Sequence, residues 1–371
     1  MAAKRKTRVA LIFGGRSGEH DVSLMSARSV LSVLDPGKYE VTQIGITHVG
    51  QWLVGQDVLG KFEAGHPTDL ESAVVLPDPS QPGVYAVREK RLEKLADVDI
   101  YFPVLHGTFG EDGTVQGLFE MAGAGYVGAG VLGSSVGMDK ALFKDVMKAH
   151  DIPSVDSLLV LRSEIEQDIN SVIRKVEELS AYPVFTKPAN LGSSVGVTKC
   201  NSRSDLQEGL MEAALFDRRL LIEHGVAKAR EIEVSVLGND DPRASVPGEV
   251  IPSREFYSYE AKYIDGTSGL VIPAPLEPAL TERVQELAVR AFKAVDVAGM
   301  ARVDFLLDNE TGQIYLNELN TIPGFTKISM YPKLWEASGI TYASLVDRLI
   351  ELALQRKADR DRISHSYRSQ A

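Results

Sequence analysis

Two short runs near the C-terminal end of the chain carry its sharpest chemical pattern. In Ala301-Arg302-Val303-Asp304-Phe305-Leu306-Leu307, the apolar residues Ala301, Val303, Phe305 and Leu307 share one face of an extended strand. Arg302 and Asp304 then share the other. After the turn Asp308-Asn309-Glu310-Thr311-Gly312 the chain returns over 314–320, with Leu316, Glu318 and Asn320 on one face. Paired as a hairpin, the strands bring Arg302, Asp304, Glu318 and Asn320 to one side. Two carboxylates and a carboxamide are hard oxygen ligands, suited to Mg²⁺ and a phosphate-bearing substrate rather than to zinc. The same spacing also describes an exposed polar face with an Arg–Glu pair. The following Thr321-Ile322-Pro323-Gly324-Phe325-Thr326 is too apolar for an ordinary surface loop, which favours a site.

A phosphate has a second possible resting place in Gly192-Ser193-Ser194-Val195-Gly196. Small residues let backbone N–H groups approach an anion, two hydroxyls add donors, and Lys187 at the preceding strand end supplies a point charge. A hairpin turn with solvated serines reads equally well. Near the N-terminus, Gly14-Gly15-Arg16-Ser17-Gly18-Glu19-His20 fails the dinucleotide fingerprint because Phe13 stands where a glycine is needed. It also lacks the Gly-Lys-Ser/Thr of a P-loop. It reads as a strand-to-helix turn with Glu19 near the positive end of a helix. His106 stands where a strand meets the glycine-rich loop 107–113, a frequent place for ligand contacts and also for structural histidines. The segment 254–263 crowds four aromatics among charges and reads as a strand or as a lid that excludes water. Cys200 reads as a bystander, and the histidines lie at no metal-ligand spacing.

These residues need elements to hold them. Residues 9–14 form a buried strand, 22–34 an amphipathic helix and 39–47 a second strand, a β-α-β unit that implies a parallel sheet. Residues 48–97, broken by Gly/Pro clusters, are expected to be an elaborated loop with small strands. Residues 99–105 read as a strand, 139–150 and 164–179 as helices, the latter with Ser163 and Glu166 at capping-box spacing. Strand 182–187, the small-residue turn and strand 197–199 follow. Residues 231–237 alternate, with Ile232, Val234 and Val236 on one face and Glu231, Glu233 and Ser235 on the other. The tail after Gln355 is polar and is expected to be frayed and solvated.

The composition bounds what such a protein does. With 371 residues the chain exceeds the size of one hydrophobic core, so several domains are expected. Its 40 basic against 51 acidic residues leave a net charge of −11, which argues against a general nucleic-acid binder. A single cysteine excludes an internal disulfide framework. No apolar run reaches the roughly 18 residues of a spanning helix, so no membrane partner and a cytoplasmic location are expected.

Seven segments together resemble the D-alanine–D-alanine ligase family of ATP-grasp enzymes: GGRSGEHDVS (14–23), PVLHGTFGEDGTVQG (103–117), MDK (138–140), KPANLGSSVGV (187–197), YSYEAKY (257–263), ARVDF (301–305) and NELNTIPGFT (317–326). The likeness runs in order from about residue 9 to residue 350. It implies an α/β protein of three-domain ATP-grasp architecture: an N-terminal parallel-sheet domain at 1–132, a central subdomain at 133–226 and a C-terminal subdomain at 227–371. It also implies a reaction in which ATP phosphorylates one D-alanine, a second D-alanine attacks the acyl phosphate, and D-alanyl-D-alanine leaves for peptidoglycan synthesis.

The resemblance assigns roles as well. Two Mg²⁺ (or Mn²⁺) are held by Asp304, Glu318 and Asn320. Lys140, Lys187 and Ser194 contact nucleotide phosphates, Lys262 the transferred phosphoryl group, and Glu223 and Glu231 the hinge and ribose. Glu19 binds the first ammonium and joins Ser193 and Tyr263 in closing the lid. Arg302 and a backbone amide near Gly324 stabilise the oxyanion, His106 lines the first-substrate region and Ser329 binds the second carboxylate. A homodimer is implied. D-alanine–D-lactate ligases, which often lack the lid tyrosine, and a non-catalytic ATP-binding regulator are the alternatives; Tyr263 and the retained Arg302 set speak against them.

Overall fold

The computed structural model describes residues 5–192, 195–226, 228–251 and 269–364. The expected lid segment, with Lys262 and Tyr263, and the turn residues Ser193 and Ser194 lie outside them.

The first sheet begins where the sequence is most apolar. Strand β1 (Thr7–Gly14) is buried from Val9 onward, as a strand covered on both faces must be. It runs parallel to β2 (Tyr39–Ile46), with helix α1 (His20–Leu31) as the crossover. Between β2 and the next parallel strand the chain does more than loop. It forms β3 (Trp52–Val54), α2 (Val58–Glu63), β4 (Glu71–Val74), β5 (Val84–Arg88) and β6 (Arg91–Ala96), which extend the sheet antiparallel at one edge. The pattern there is unreadable for a physical reason: these strands have three to six residues, and β6 is exposed almost throughout, so no alternation is imposed. Strand β7 (Ile100–Pro103) then pairs parallel with β1, and after α3 (Thr114–Met121), β8 (Gly125–Tyr126) pairs with β7.

Helices α4 (Val131–Met138) and α5 (Lys140–Ala149) lead into the second sheet, with Asp139 capping α5 through the Leu142 N–H. Strand β9 (Ser157–Leu161), helix α6 (Arg162–Leu179), β10 (Val184–Pro188), β11 (Thr198–Cys200), helix α7 (Arg203–Phe216) and β12 (Arg219–His224) give a four-stranded antiparallel sheet in the order β11-β10-β12-β9. Helix α6 differs from expectation at its start. Glu164, not Glu166, caps it by accepting the Leu161 N–H at 2.9 Å. A kink follows at Asp168, whose carboxylate accepts the Ser171 N–H at 3.1 Å and so starts a second helical segment. Cys200 is buried, and burial pushes its thiol up to about 11, as a bystander's would be.

The third sheet is antiparallel: β13 (Arg230–Gly238), β14 (Arg243–Ala244), β15 (Gly248–Ile251), β16 (Gly269–Val271), β17 (Gly299–Leu307) and β18 (Ile314–Asn320). Helix α8 (Pro278–Ala294) packs on it through Val284, Leu287, Ala288 and Ala291. The β17–β18 hairpin corrects one expectation. Asp304 pairs with Glu318, but Phe305 pairs with Leu316, so Asn317 is an extra, bulged residue. Leu316 therefore faces the core beside Phe305, while Glu318 and Asn320 face away from it.

After α9 (Met330–Ala337) the chain leaves the third sheet. Helix α10 (Tyr342–Arg360) buries Leu345, Val346, Leu349 and Ile350 in one core with Val9, Leu11 and Phe13 of β1. The polar stretch after Gln355 is accordingly not frayed up to residue 360. Arg356 lies over the Tyr126 ring at 4.2 Å and donates to the Tyr126 and Gly128 carbonyls, and Arg360 donates to Ala124.

Candidate active site

One cleft receives residues from all three sheet units. Its floor is the β17–β18 hairpin. Arg302 donates bidentately to Asp304, Nε to Oδ1 at 2.7 Å and Nη2 to Oδ2 at 2.6 Å. Arg302 Nε also stands 3.1 Å from Glu233 Oε2. Asn320 Nδ2 donates to Asp304 Oδ2 at 3.1 Å, and Lys140 Nζ lies 3.5 Å from Glu318. The bulge thus delivers all four hairpin residues to one side, as the alternation of β17 requires. Their carboxylates already hold cationic partners, Arg302 and Lys140, and offer only oxygen, so a hard divalent cation suits this donor set.

The side wall carries positive charge. Lys140, at the first turn of α5, donates to the Leu191 carbonyl at 2.8 Å. Lys187, on β10, pairs with Glu223 of the neighbouring β12, and Lys144, one turn beyond Lys140, reaches the same carboxylate at 3.1 Å. Glu223 is 3% exposed and does not line the cleft. Burial opposes its charge, but the two lysines outweigh burial and hold its carboxyl down at about 2. The lysines respond in opposite directions. Burial lowers the Lys144 pKa despite Glu223, whereas at Lys187 Glu223, helped by Glu318 and Glu231, overcomes burial and raises it. Lys187 therefore keeps its proton in the wall of the cleft.

The opposite wall comes from the first sheet. Glu19 occupies the N-cap position of α1. Gly107 makes room for it: at φ +76°, a Cβ there would come within 2.6 Å of Glu19 Oε2 and 2.5 Å of Ser17 Oγ. On the other side a Cβ on Gly192 would meet Glu19 Oε2 at 3.2 Å, so Glu19 lies between the first-sheet loop and Gly192. His106 is buried, with Nδ1 2.9 Å from the Ile322 carbonyl and Nε2 2.9 Å from Ser26 Oγ. Burial disfavours its charge, but Glu111, 3.8 Å away, and Glu19 prevail and lift its pKa. Burial in turn raises the Glu111 pKa.

Glu19, His106, Lys140, Lys187, Glu231, Arg302, Asp304, Glu318, Asn320 and Gly324 all line the cleft. Ser329 does not; it precedes α9 and accepts the Thr326 N–H at 3.1 Å. Glu233, Glu111 and Lys144 were not singled out from sequence. Signals for two existed: Glu233 shares its strand face with Glu231, and Lys144 lies four residues from Lys140 on one helix face. Among the described residues, His20, Asp21 and His48 also place potential ligand atoms within 4.8 Å of one another. None lines the cleft. The two imidazoles stack at 3.7 Å with planes 26° apart.

Comparison with known proteins agrees with this arrangement along nearly the whole chain. Residues 8–129 match the family model described as D-ala D-ala ligase N-terminus, and residues 146–351 that described as D-ala D-ala ligase C-terminus. A D-alanine--D-alanine ligase of Heliobacterium modesticaldum is 49% identical over 96% of this chain and 97% of that one. One from a Thermoanaerobacter species is 51% identical over 94% and 97%. Among solved structures, the D-alanine-D-alanine ligase of Coxiella burnetii superposes with a TM-score of 0.83 at 34% identity, covering 96% of this chain and 97% of that one. The VanG D-Ala:D-Ser ligase of Enterococcus faecalis gives 0.84 at 32%, covering 94% and 100%. With both of its parts matched and the cleft at their junction, the chain belongs to the D-alanine–D-alanine ligase family, on the ATP-grasp fold.

Proposed function

We propose that this protein joins two D-alanines into D-alanyl-D-alanine at the expense of ATP, for peptidoglycan precursor synthesis. The observation that carries the reading is the convergence of Arg302, Asp304, Glu318 and Asn320 with Lys140 and Lys187 in one cleft. The chemical difficulty is charge: a carboxylate must attack a polyanionic triphosphate. Lys140 and Lys187 neutralise phosphate oxygens from one wall. Asp304, Glu318 and Asn320 would hold two Mg²⁺ (or Mn²⁺), which when bound offset the charge on the transferring phosphoryl group. Glu19 holds the ammonium of the first D-alanine and so orients its carboxylate toward the γ-phosphorus. Attack by that carboxylate breaks the bond from the γ-phosphorus to the β–γ bridging oxygen and releases ADP. The neutral amine of the second D-alanine then adds to the acyl-phosphate carbonyl, creating a C–N bond and an oxyanion. Arg302 and the Gly324 N–H stabilise that oxyanion, and its collapse breaks the C–O bond and releases phosphate, which takes up the surplus proton of the new amide nitrogen.

Ser193, Ser194, Lys262 and Tyr263 keep the roles the resemblance implies, as do Glu231 toward the ribose and Ser329 toward the second carboxylate. Glu223 acts through Lys187. The units at 1–132, 133–226 and 227–371, the homodimer and the cytoplasmic location belong to the same proposal; among the described residues no helix is long and apolar enough to cross a membrane.

A second reading has one specific support: the D-Ala:D-Ser ligase shares this backbone as closely as the D-alanine-D-alanine ligase does. The test is phosphate release from ATP and Mg²⁺ with D-alanine alone, L-alanine, and D-alanine plus D-serine or D-lactate, with products separated. D-alanine-dependent release yielding D-Ala-D-Ala, abolished by a chelator and restored by Mg²⁺, is the expected result. Mixed product in preference to D-Ala-D-Ala would establish the second reading, and ATP binding without release would refute both.

A further inference from the structure

We propose that Ser26 is a positioning residue for the oxyanion donor Gly324. The inference rests on the ligase reading, in which the Gly324 N–H meets the tetrahedral intermediate.

Ser26 sits on α1, in the first-sheet unit, with no exposure to solvent. Its Oγ lies 2.9 Å from His106 Nε2 and accepts the Phe325 N–H at 3.3 Å. His106 Nδ1 lies 2.9 Å from the Ile322 carbonyl. One hydroxyl and one imidazole therefore grip the turn 322–325 on both sides of Gly324. The turn is held further on by Tyr342, whose hydroxyl donates to the Phe325 carbonyl at 2.6 Å. Gly324 itself lines the cleft, and its N–H makes no hydrogen bond among the described residues.

The direction of each bond follows from the groups. A carbonyl only accepts, so His106 carries a proton on Nδ1. In the neutral ring Nε2 accepts from the Ser26 O–H, while Ser26 Oγ accepts from Phe325. If the ring gains a second proton, Nε2–H donates and Ser26 Oγ accepts from both. Serine thus keeps the link in either protonation state of His106, which an aliphatic side chain cannot do. The link spans 299 residues of sequence. It registers the helix that begins at Glu19 against the turn that offers Gly324, so the ammonium anchor and the oxyanion donor are set at a defined separation before substrate arrives.

The test compares Ser26→Ala and Ser26→Cys with the wild type. Turnover, the KM for ATP, and the inhibition constant of a phosphinate dipeptide analogue, whose tetrahedral oxyanion imitates the intermediate, are measured in each. Removing the hydroxyl is expected to lower kcat by about 10- to 100-fold, the range a small misplacement produces. The phosphinate should lose affinity by a matching factor, while the KM for ATP stays within about twofold. Cysteine, near in size but a weak hydrogen-bonding group, should fall between, and it is read by the same criteria where alanine does not fold. Wild-type kcat and phosphinate affinity in the variants would overturn the proposal. So would a parallel worsening of the KM for ATP, the mark of general loosening. A wild type that forms no dipeptide would instead overturn the ligase reading, which separates the two failures.

Discussion

Arg302 shares a small volume with Asp304 and Glu233: its fork donates twice to Asp304, and its charge lies 3.1 Å from Glu233. Such a guanidinium is held rigid, which is what an oxyanion donor needs. Changing Arg302 to alanine should lower turnover by roughly 10²-fold while leaving ATP binding nearly intact. Lysine should not restore the rate, because a point charge cannot reproduce the planar fork. Near-normal steady-state turnover in the alanine variant would remove Arg302 from the mechanism. Glu223 is the structural counterpart. With two lysines on one buried carboxylate, Glu223→Gln should cost about 3–5 kcal/mol in urea unfolding at neutral pH. Its carboxyl is depressed from the ordinary 4.5 to about 2, so its contribution is present above pH 4.5 and is lost as pH falls toward 2. The gap between wild type and variant should hold steady down to pH 4.5 and close below it. A gap that widens on acidification would contradict the assignment.

At the scale of elements, alternation was the readable signal wherever one strand face was buried. Strands β13 and β17 lie where their alternation places them, because each side chain's face is set by its neighbours along the chain, and β1 lies where its unbroken apolar run does. The bulge at Asn317 breaks that logic, since an extra residue in one strand is defined only against its partner. Caps were readable in kind but not in position: several Ser, Asp and Glu near the start of α6 could serve, and backbone geometry selected Glu164 and then Asp168. Replacing Asp168 by alanine should cost about 1 kcal/mol of stability through the lost cap. Turnover at saturating substrate should be unchanged, and a large rate effect would show that the kink serves the cleft.

Across the whole molecule, the last helix returns to the first sheet. The buried residues of α10 complete a core that begins at Val9, and Arg356 and Arg360 fasten it to carbonyls at 124–128. Ending the chain at Thr341 should therefore leave an N-terminal unit that does not fold. Several large buried residues are lost, each worth about 2–5 kcal/mol, against a total stability of about 5–15 kcal/mol. Soluble expression with intact cooperative unfolding would contradict this. The polar composition after Gln355 concealed the docking, because arginine buries its stem and satisfies its head on backbone oxygens, which no hydropathy pattern records.

The sequence by itself determined the residue types of the site, their alternation along β13 and β17, and the parallel β-α-β opening, since these depend on neighbours a few residues away. Which residues meet was decided only by tertiary structure. Glu223 turns to Lys144 and Lys187, Glu233 closes on Arg302, and Ser26 reaches Phe325. Such contacts join residues far apart in the sequence, across paired strands or between a helix and another element, and burial makes their unpaired alternatives costly, so their partners are fixed by packing rather than by any local pattern.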